Sequence, residues 1–224
     1  MTNRTAETSP LTYARIAGFL LLILVVLGPF SLINVPSTLI VPGDATATAD
    51  NIRPSESLFR IGIISDSFIF LIEIVVTVLL YVLLRPVSRT LSLVAAFARL
   101  AMAVIQGINL LPNFIALLLL SGAGYLSVFE ADQLDALVLL FLNAHGYGVY
   151  IWQMFFTLHL FVLGYLIFKS GYFPRILGVL VVVGSLGYLI DSFGNILFPN
   201  YEAIFGVVVA VTSIFGELPF SSGF

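Results

Sequence analysis

The chain has 224 residues, of which 60% are hydrophobic and only 9% are charged, and its formal net charge is -3. Its mean hydropathy of +1.11 is typical of a protein whose solvent is a lipid bilayer. The sequence has no cysteine, which excludes disulfides, thiol redox chemistry and Cys-ligated metal clusters. Because the net charge is negative and no Lys/Arg run occurs, nucleic acid is not expected as a partner.

Hydropathy predicts six membrane-spanning helices, each long enough to cross about 30 Å of hydrocarbon. Their approximate bounds are 14–35, 58–84, 91–120, 144–168, 176–198 and 201–218. Backbone groups find no water in hydrocarbon, so helices are expected, and the alternating segments of a barrel are missing. The sequence therefore predicts an all-α integral membrane protein, a bundle of six transmembrane helices, with residues 1–224 forming a single membrane domain.

The charges of the loops predict the orientation. Basic residues lie before span one, between spans two and three, and between spans four and five: Arg4, Arg15, Arg85, Arg89, Lys169 and Arg175. The alternate loops are mainly acidic, with Arg53 and Arg60 as their basic residues. By the positive-inside rule both termini are expected in the cytoplasm, which agrees with an even number of spans.

The outer-side loops after spans one and three are each expected to contain a short helix. Asp44 follows a Pro-Gly turn and can cap a helix that ends near Ile52, before Pro54. Residues 130–143 begin acidic and become apolar. They form either an interfacial helix or an early extension of span four.

Three ionisable residues are predicted at one depth in the membrane. At about 1.5 Å per residue, Glu73, Arg99 and His159 lie about 16, 12 and 13 Å from the inner ends of their spans. Glu73 and Arg99 are predicted to form an ion pair, because either residue alone would be strongly disfavoured there. Alternatively the pair only locks two helices together, or Arg99 extends toward the cytoplasm. His159 is either a ligand or proton carrier or a satisfied polar contact.

A second polar layer is predicted about 22–27 Å from the inner side. Its members are Asp66, Gln106, Asn109, Gln153 and Asp191. If they face inward together, they line an outward-opening polar cavity whose floor is the Glu73–Arg99–His159 layer. The alternative is a set of interhelical hydrogen bonds, each worth about 0.6 kcal/mol.

Motifs for catalysis or cofactors are missing. The two histidines, His145 and His159, would lie about 21 Å apart along one helix, so they cannot share one metal or haem. There is no phosphate loop, nucleotide fingerprint or metalloprotease motif. We therefore expect no catalytic set, no metal and no cofactor.

Several loop motifs point to a family. The run VPGDATATA at 41–49, with Asn51-Ile52 and Leu58-Phe59-Arg60, resembles the outer loop of the bacterial domain-of-unknown-function 4386 membrane proteins. Leu84-Arg85-Pro86-Val87 and Phe173-Pro174-Arg175 are similar to that family's inner loops. The resemblance covers about residues 14–217 and implies a multi-pass protein of the bacterial plasma (inner) membrane, without implying an activity. Relatives tend to continue the last helix, whereas Pro219 is expected to interrupt it here.

Two main functions remain open from the sequence. The leading hypothesis is a non-enzymatic membrane protein with a cavity for a small molecule, lipid or proton-coupled solute. The alternative is an accessory or structural subunit that packs beside other membrane subunits in a larger complex. An intramembrane enzyme is the least favoured, since no nucleophile–base pair or metal set assembles.

Overall fold

The computed structural model describes residues 9–222, and their side chains as far as residue 216. Every regular element in this range is helical. The α-helices are α1 (Pro10–Pro29), α2 (Val35–Leu39), α3 (Ala45–Ile52), α4 (Glu56–Leu84), α5 (Arg89–Ile108), α6 (Leu111–Leu120), α7 (Ala131–Ser170), α8 (Arg175–Leu197) and α9 (Glu202–Ser222). A π-helical segment, Phe30–Asn34, joins α1 to α2, and 3₁₀ turns occupy Gly124–Leu126 and Pro199–Tyr201.

Six helical stretches are long and apolar enough to cross a membrane. They are Pro10–Leu39, Glu56–Leu84, Arg89–Leu120, Ala131–Ser170, Arg175–Leu197 and Pro199–Gly216. The prediction of an all-α protein with six spans is confirmed, and each predicted span lies within or largely overlaps one of these stretches. The side of the membrane on which each loop lies stays a prediction.

The fourth span is much longer than predicted. Residues 131–143 do not form a separate helix; they are the first turns of α7, a continuous helix of 40 residues. No proline lies between Ala131 and Ser170, so nothing in the backbone stops the helix. Crossing the hydrocarbon takes about 20 residues, so α7 extends well beyond one membrane thickness.

The loop after span one contains the short helix α3. Gly43, at φ +79°, completes the turn after Pro42, and the Asp44 side chain accepts a hydrogen bond of 2.9 Å from the Ala47 N–H. This is the N-cap expected for an aspartate at that position. Thr48 is buried, and its hydroxyl oxygen accepts from the Val41 N–H at 3.0 Å, which holds the helix against the end of span one.

Two of the spans have broken backbones. In span one the π-helical segment follows Pro29 directly, and in span three a turn at residues 109–110 is followed by Pro112. A proline has no N–H to donate to the carbonyl four residues earlier, so the ladder is interrupted at both places. These two breaks decide the shape of the site described below.

The last helix runs through the position expected to end it. Helix α9 continues to Ser222, past Pro219, so the expectation that Pro219 shortens it is wrong. Pro219 lies in the final turn, where one lost hydrogen bond does not stop the few residues that follow. Helix α9 packs on α8 through small residues: a Cβ at Gly187 would overlap the Thr212 side chain.

Contacts divide the chain into two compact units. The first comprises the described parts of Met1–Ile23, Ile72–Met102 and Gln153–Phe224. The second comprises Leu24–Leu71 and Ala103–Trp152, and its apolar core is built from α2, α3, α4, α6 and α7. Each unit contains a group of buried polar side chains, and the two groups are described separately.

Candidate functional site

The first unit contains the Glu73–Arg99–His159 cluster. Glu73 lies on α4, Arg99 on α5 and His159 on α7, and they are 6%, 2% and 1% exposed. The Arg99 Nε donates to the Glu73 carboxylate, and Arg99 Nη1 lies 2.8 Å from His159 Nε2. The two residues predicted to pair from their depths are thus hydrogen-bonded, and the histidine binds the other side of the same guanidinium.

The tautomer of His159 follows from its two partners. Its Nδ1 lies 2.9 Å from the Ala95 carbonyl oxygen, which can only accept, so Nδ1 carries the proton. Its Nε2 therefore accepts from the Arg99 guanidinium. A neutral imidazole held at both nitrogens has no site left for a ligand. The cluster is a closed hydrogen-bonded group.

Aromatic rings cover this cluster. The Phe156 ring lies 5.8 Å from the Arg99 guanidinium carbon and is stacked on the His159 ring at 6.0 Å between centroids. Tyr188 packs edge-on against Phe156 at 5.1 Å. Beside His159 lies a small, mostly apolar space of about 10 Å³, lined in part by the buried Ser92, whose hydroxyl has no partner.

A second polar group in the first unit joins α7 to α8. Asn195 Nδ2 donates to the Asp191 carboxylate at 3.0 Å and to its backbone carbonyl at 2.9 Å. Ser192 donates to the Gln153 side-chain oxygen at 2.9 Å. Two predicted residues, Asp191 and Gln153, are therefore used in hydrogen bonds within one helix or between two.

The second unit encloses a cavity beside Asp66, which we call the Asp66 cavity. Its volume is about 40 Å³, and the space at its open mouth adds to this. Its polar lining consists of Ser31, Asp66, Asn113 and His145. Its apolar walls are Val35, Pro36, Leu39, Ile40, Phe59, Ile63 and Leu142, with Gly62 between them. Asp66 is 4% exposed, and its Oδ1 has no hydrogen-bond partner.

The broken backbones supply the polar lining of this cavity. Ser31 lies in the π-helical segment after Pro29, and Asn113 follows Pro112 at the start of α6. At the second break, the Asn109 carbonyl oxygen accepts from His145 Nδ1 at 2.6 Å. The Asn109 amide returns a hydrogen bond of 2.9 Å to the His145 carbonyl, which fixes the imidazole at the cavity wall.

The absence of a side chain at Gly148 makes this arrangement possible. A Cβ at Gly148 on α7 would overlap the Asn109 amide, so only glycine leaves that amide its place against the helix. Gly146, two residues earlier, has nothing within 4 Å of the position its Cβ would take. The close approach is therefore confined to one helix position.

The eight predicted site residues divide between the units. Glu73, Arg99, Gln153, His159 and Asp191 lie in the first unit, and Asp66, Gln106 and Asn109 lie in the second. All eight are buried. A single cavity shared by all of them stays a prediction. Within the two units the structure shows local arrangements around Arg99, Asp191 and Asp66.

Sequence reasoning missed three residues of the Asp66 cavity. The sequence assigns His145 no place in a site, and it does not single out Ser31 or Asn113. The available signals were Asn113, four residues after Asn109, and Ser31, two residues after a proline within an apolar span. Among the described residues, no group of three or more acidic or histidine side chains could hold a metal ion.

Comparison with known proteins places the chain in a sequence family. Residues 16–221 match the family described as a domain of unknown function (DUF4386). An Archaeoglobus fulgidus protein described as uncharacterized is 31% identical over 160 residues, which cover 71% of this chain and 79% of that protein. No solved structure matches the chain significantly.

Proposed function

The chain belongs to the family described as a domain of unknown function (DUF4386), and from that premise we propose that it binds a small molecule in the Asp66 cavity. It does so as a non-enzymatic, multi-pass protein of the bacterial plasma membrane. The cavity opens to the outer side, and both termini lie in the cytoplasm. These statements rest on six apolar helices, the loop charges and the geometry of one cavity.

The observation that carries the proposal is the free oxygen of Asp66. A carboxyl group at membrane depth is costly unless it is paired, and such groups mark functional paths by default. Glu73 and Asp191 each accept a hydrogen bond from an Arg or Asn side chain, whereas the Asp66 carboxyl has the Ser31 hydroxyl beside it and its Oδ1 accepts none. A ligand with a hydrogen-bond donor would supply the missing partner.

The broken helices support the same site. Irregular backbone within a membrane is tolerated only where it is buried in protein or lines a cavity. Here the break after Pro29 and the break before Pro112 both contribute lining residues, Ser31 and Asn113. The mixture of apolar walls and a few polar groups is also usual for a ligand site.

The competing function is that of a structural subunit in a larger complex. The Glu73–Arg99–His159 cluster favours it, because that cluster is fully occupied and serves helix packing. The two functions differ at one point: a ligand-binding protein needs the Asp66 cavity to be reachable from the aqueous phase. A structural subunit does not.

Single cysteines test this difference without background, because the chain has none of its own. Ser31→Cys places a thiol in the cavity wall, and Ser185→Cys places one at a position that is 0% exposed and lines no described cavity. A cationic, membrane-impermeant methanethiosulfonate added from outside is expected to label Ser31→Cys and leave Ser185→Cys unlabelled. If both variants resist the reagent equally, the cavity is closed and the subunit function is favoured.

Two exposed positions test the orientation in the same experiment. Ser127, between spans three and four, is expected outside, and Thr90, at the start of span three, is expected inside. Ser127→Cys should react in intact cells, and Thr90→Cys should react only after permeabilisation. The reverse pattern would overturn the proposed orientation and make the Asp66 cavity open to the cytoplasm.

A further inference from the structure

We propose that the ligand of the Asp66 cavity is an amine: a protonated ammonium group attached to a compact apolar body. This inference rests on the proposed function and specifies the chemistry of its ligand. The ammonium binds the Asp66 carboxylate, and the apolar body lies against the aliphatic and aromatic walls.

The charges around the cavity favour a cation. Asp66 is the one acidic residue in its lining, and the lining contains no Arg or Lys. A buried carboxylate without a basic partner is stabilised by a positive group that enters the site. Anionic ligands are disfavoured, because the lining has no Arg or Lys to offset their repulsion from Asp66, and its one imidazole, His145, is already bound to the Asn109 carbonyl.

The other polar groups complement an ammonium in particular. The three N–H groups of a primary ammonium are all donors, and they need acceptors. His145 Nδ1 already donates to the Asn109 carbonyl, so in the neutral ring Nε2 is an acceptor. Asn113, in the same lining, has a side-chain amide whose oxygen can serve as a further acceptor. Together with the free Oδ1 of Asp66, these groups offer three acceptors to three donors.

The walls argue against a bare metal ion. A hard cation such as Ca²⁺ or Mg²⁺ takes six or more oxygen ligands, several of them carboxylates or waters. The Asp66 cavity offers one carboxylate, and Val35, Leu39, Phe59 and Ile63 make most of its remaining lining apolar. An organic cation fits this combination, because its body gains from burial against the same walls.

The amine has two plausible sources, a soluble molecule or the ethanolamine headgroup of a lipid. Both present the same ammonium group to Asp66. They differ in that the lipid headgroup carries a phosphate beside the amine and is already present in the membrane. The experiment therefore compares membranes with and without an amine lipid.

The test measures binding of matched probes to the full-length protein in phosphatidylcholine nanodiscs by calorimetry, with empty nanodiscs as the blank. The probes are propylamine and propan-1-ol, which are small enough for the cavity and differ in the ammonium group alone. A hydrogen bond to a charged group is worth about 1.5–3 kcal/mol, so the amine is expected to bind about 10- to 100-fold more tightly. Adding phosphatidylethanolamine should weaken amine binding if the natural source is a lipid, and should leave it unchanged if the source is soluble.

Two aspartate variants show whether the preference for the amine over the alcohol depends on Asp66. Asp66→Asn removes the charge without changing the shape, and the preference for the amine should fall to near one. Asp191→Asn changes an equally buried aspartate in the other unit, whose carboxylate is bound by Asn195, and the preference should persist. A preference that survives Asp66→Asn would overturn the proposal.

Other outcomes separate this proposal from the proposed function. Equal binding of amine and alcohol by the wild-type protein would overturn the amine proposal and leave a ligand-binding cavity standing. Failure of both probes to bind, with Ser31→Cys still labelled from outside, would likewise overturn the amine proposal and leave a ligand-binding cavity standing. An unlabelled Ser31→Cys would overturn both the amine proposal and the proposed function. If Asp66→Asn does not fold, protection of Ser31→Cys from the thiol reagent by the amine, and not by the alcohol, decides the question.

Discussion

Glu73 and Asp66 lie on the same helix and are about equally buried, at 6% and 4% exposed, yet their surroundings are opposite. Glu73 is bound by Arg99, which is bound in turn by His159, and the three residues form a closed group. Asp66 lines a cavity, and its Oδ1 is left without a partner. An acidic residue at membrane depth can thus either belong to a closed ion pair or line a cavity. The side chain that lies beside it decides between the two.

The backbone explains why the two environments differ. Around Glu73, helices α4, α5 and α7 are regular, and their side chains leave only a small space beside His159. Around Asp66, span one passes through a π-helical segment after Pro29, and span three has a turn before Pro112. A regular helix presents side chains at fixed intervals and packs closely, whereas a break redirects the chain and leaves space and backbone acceptors. The prolines therefore mark the region that can hold a ligand.

The largest effect is expected when the closed cluster loses its cation. Arg99→Met leaves the Glu73 carboxylate buried without a partner, which should lower the free energy of unfolding by about 3–5 kcal/mol. Circular dichroism recorded during unfolding in detergent micelles measures this loss of stability. The double variant Glu73→Leu/Arg99→Met, which removes both charges, should recover most of the loss.

An exposed ion pair supplies the control for that prediction. Arg60 and Glu56 form a hydrogen-bonded pair of 2.6 Å on α4, and both side chains are at least half exposed. Glu56→Gln should cost less than about 1 kcal/mol, because water replaces the lost partner. If Arg99→Met costs no more than Glu56→Gln, the closed cluster contributes little, and the comparison between the two regions fails.

A smaller effect is expected at the glycine that supports the Asp66 cavity. Gly148→Ala places a methyl group where the Asn109 amide lies, and displacing that amide should cost about 1–3 kcal/mol. Gly146→Ala, two residues earlier, places its methyl group where no atom lies within 4 Å. It should be neutral or stabilising by up to about 1 kcal/mol. Equal effects of the two substitutions on thermal unfolding would show that the Asn109–His145 contact is not tightly held.

The smallest effect on stability is expected at Asp66 itself. Asp66→Asn removes a charge whose Oδ1 has no partner, so the free energy of unfolding should change by less than about 1 kcal/mol or rise. Glu73→Gln is the matched change and should cost about 3–5 kcal/mol, because it leaves Arg99 without its counter-ion. Urea or detergent unfolding of the two variants side by side makes the comparison. A larger loss at Asp66 would show that this carboxylate has a structural partner after all.

Much of the fold could be predicted from the sequence because hydrophobicity and charge act along the chain. Six apolar runs specify six spans, and an aspartate after Pro-Gly specifies the cap of α3. The Glu73–Arg99 contact could also be predicted from the sequence, because α4 and α5 are continuous over these residues. Counting 1.5 Å per residue gives a correct relative depth along an unbroken helix.

The Asp66 cavity could not be predicted in the same way. Depth along a helix says nothing about the direction in which a side chain points, so Gln153 and Asp191 looked equivalent to Asp66. The breaks at Pro29 and Pro112 also shift every residue beyond them, so counting fails for Ser31 and Asn113. His145 lies one residue after the predicted start of span four, but α7 begins fourteen residues before it and carries it into the helix interior.

One measurement tests the central contrast directly, without any substitution. A hydrophobic carbodiimide adds to buried carboxyl groups that are free to react, and peptide mapping by mass spectrometry then compares Asp66 with Glu73 in the same sample. Because Glu73 is held by Arg99 and Asp66 faces open space, modification is expected at Asp66 and not at Glu73. Modification of Glu73 at the same rate, or of Glu73 alone, would contradict the account.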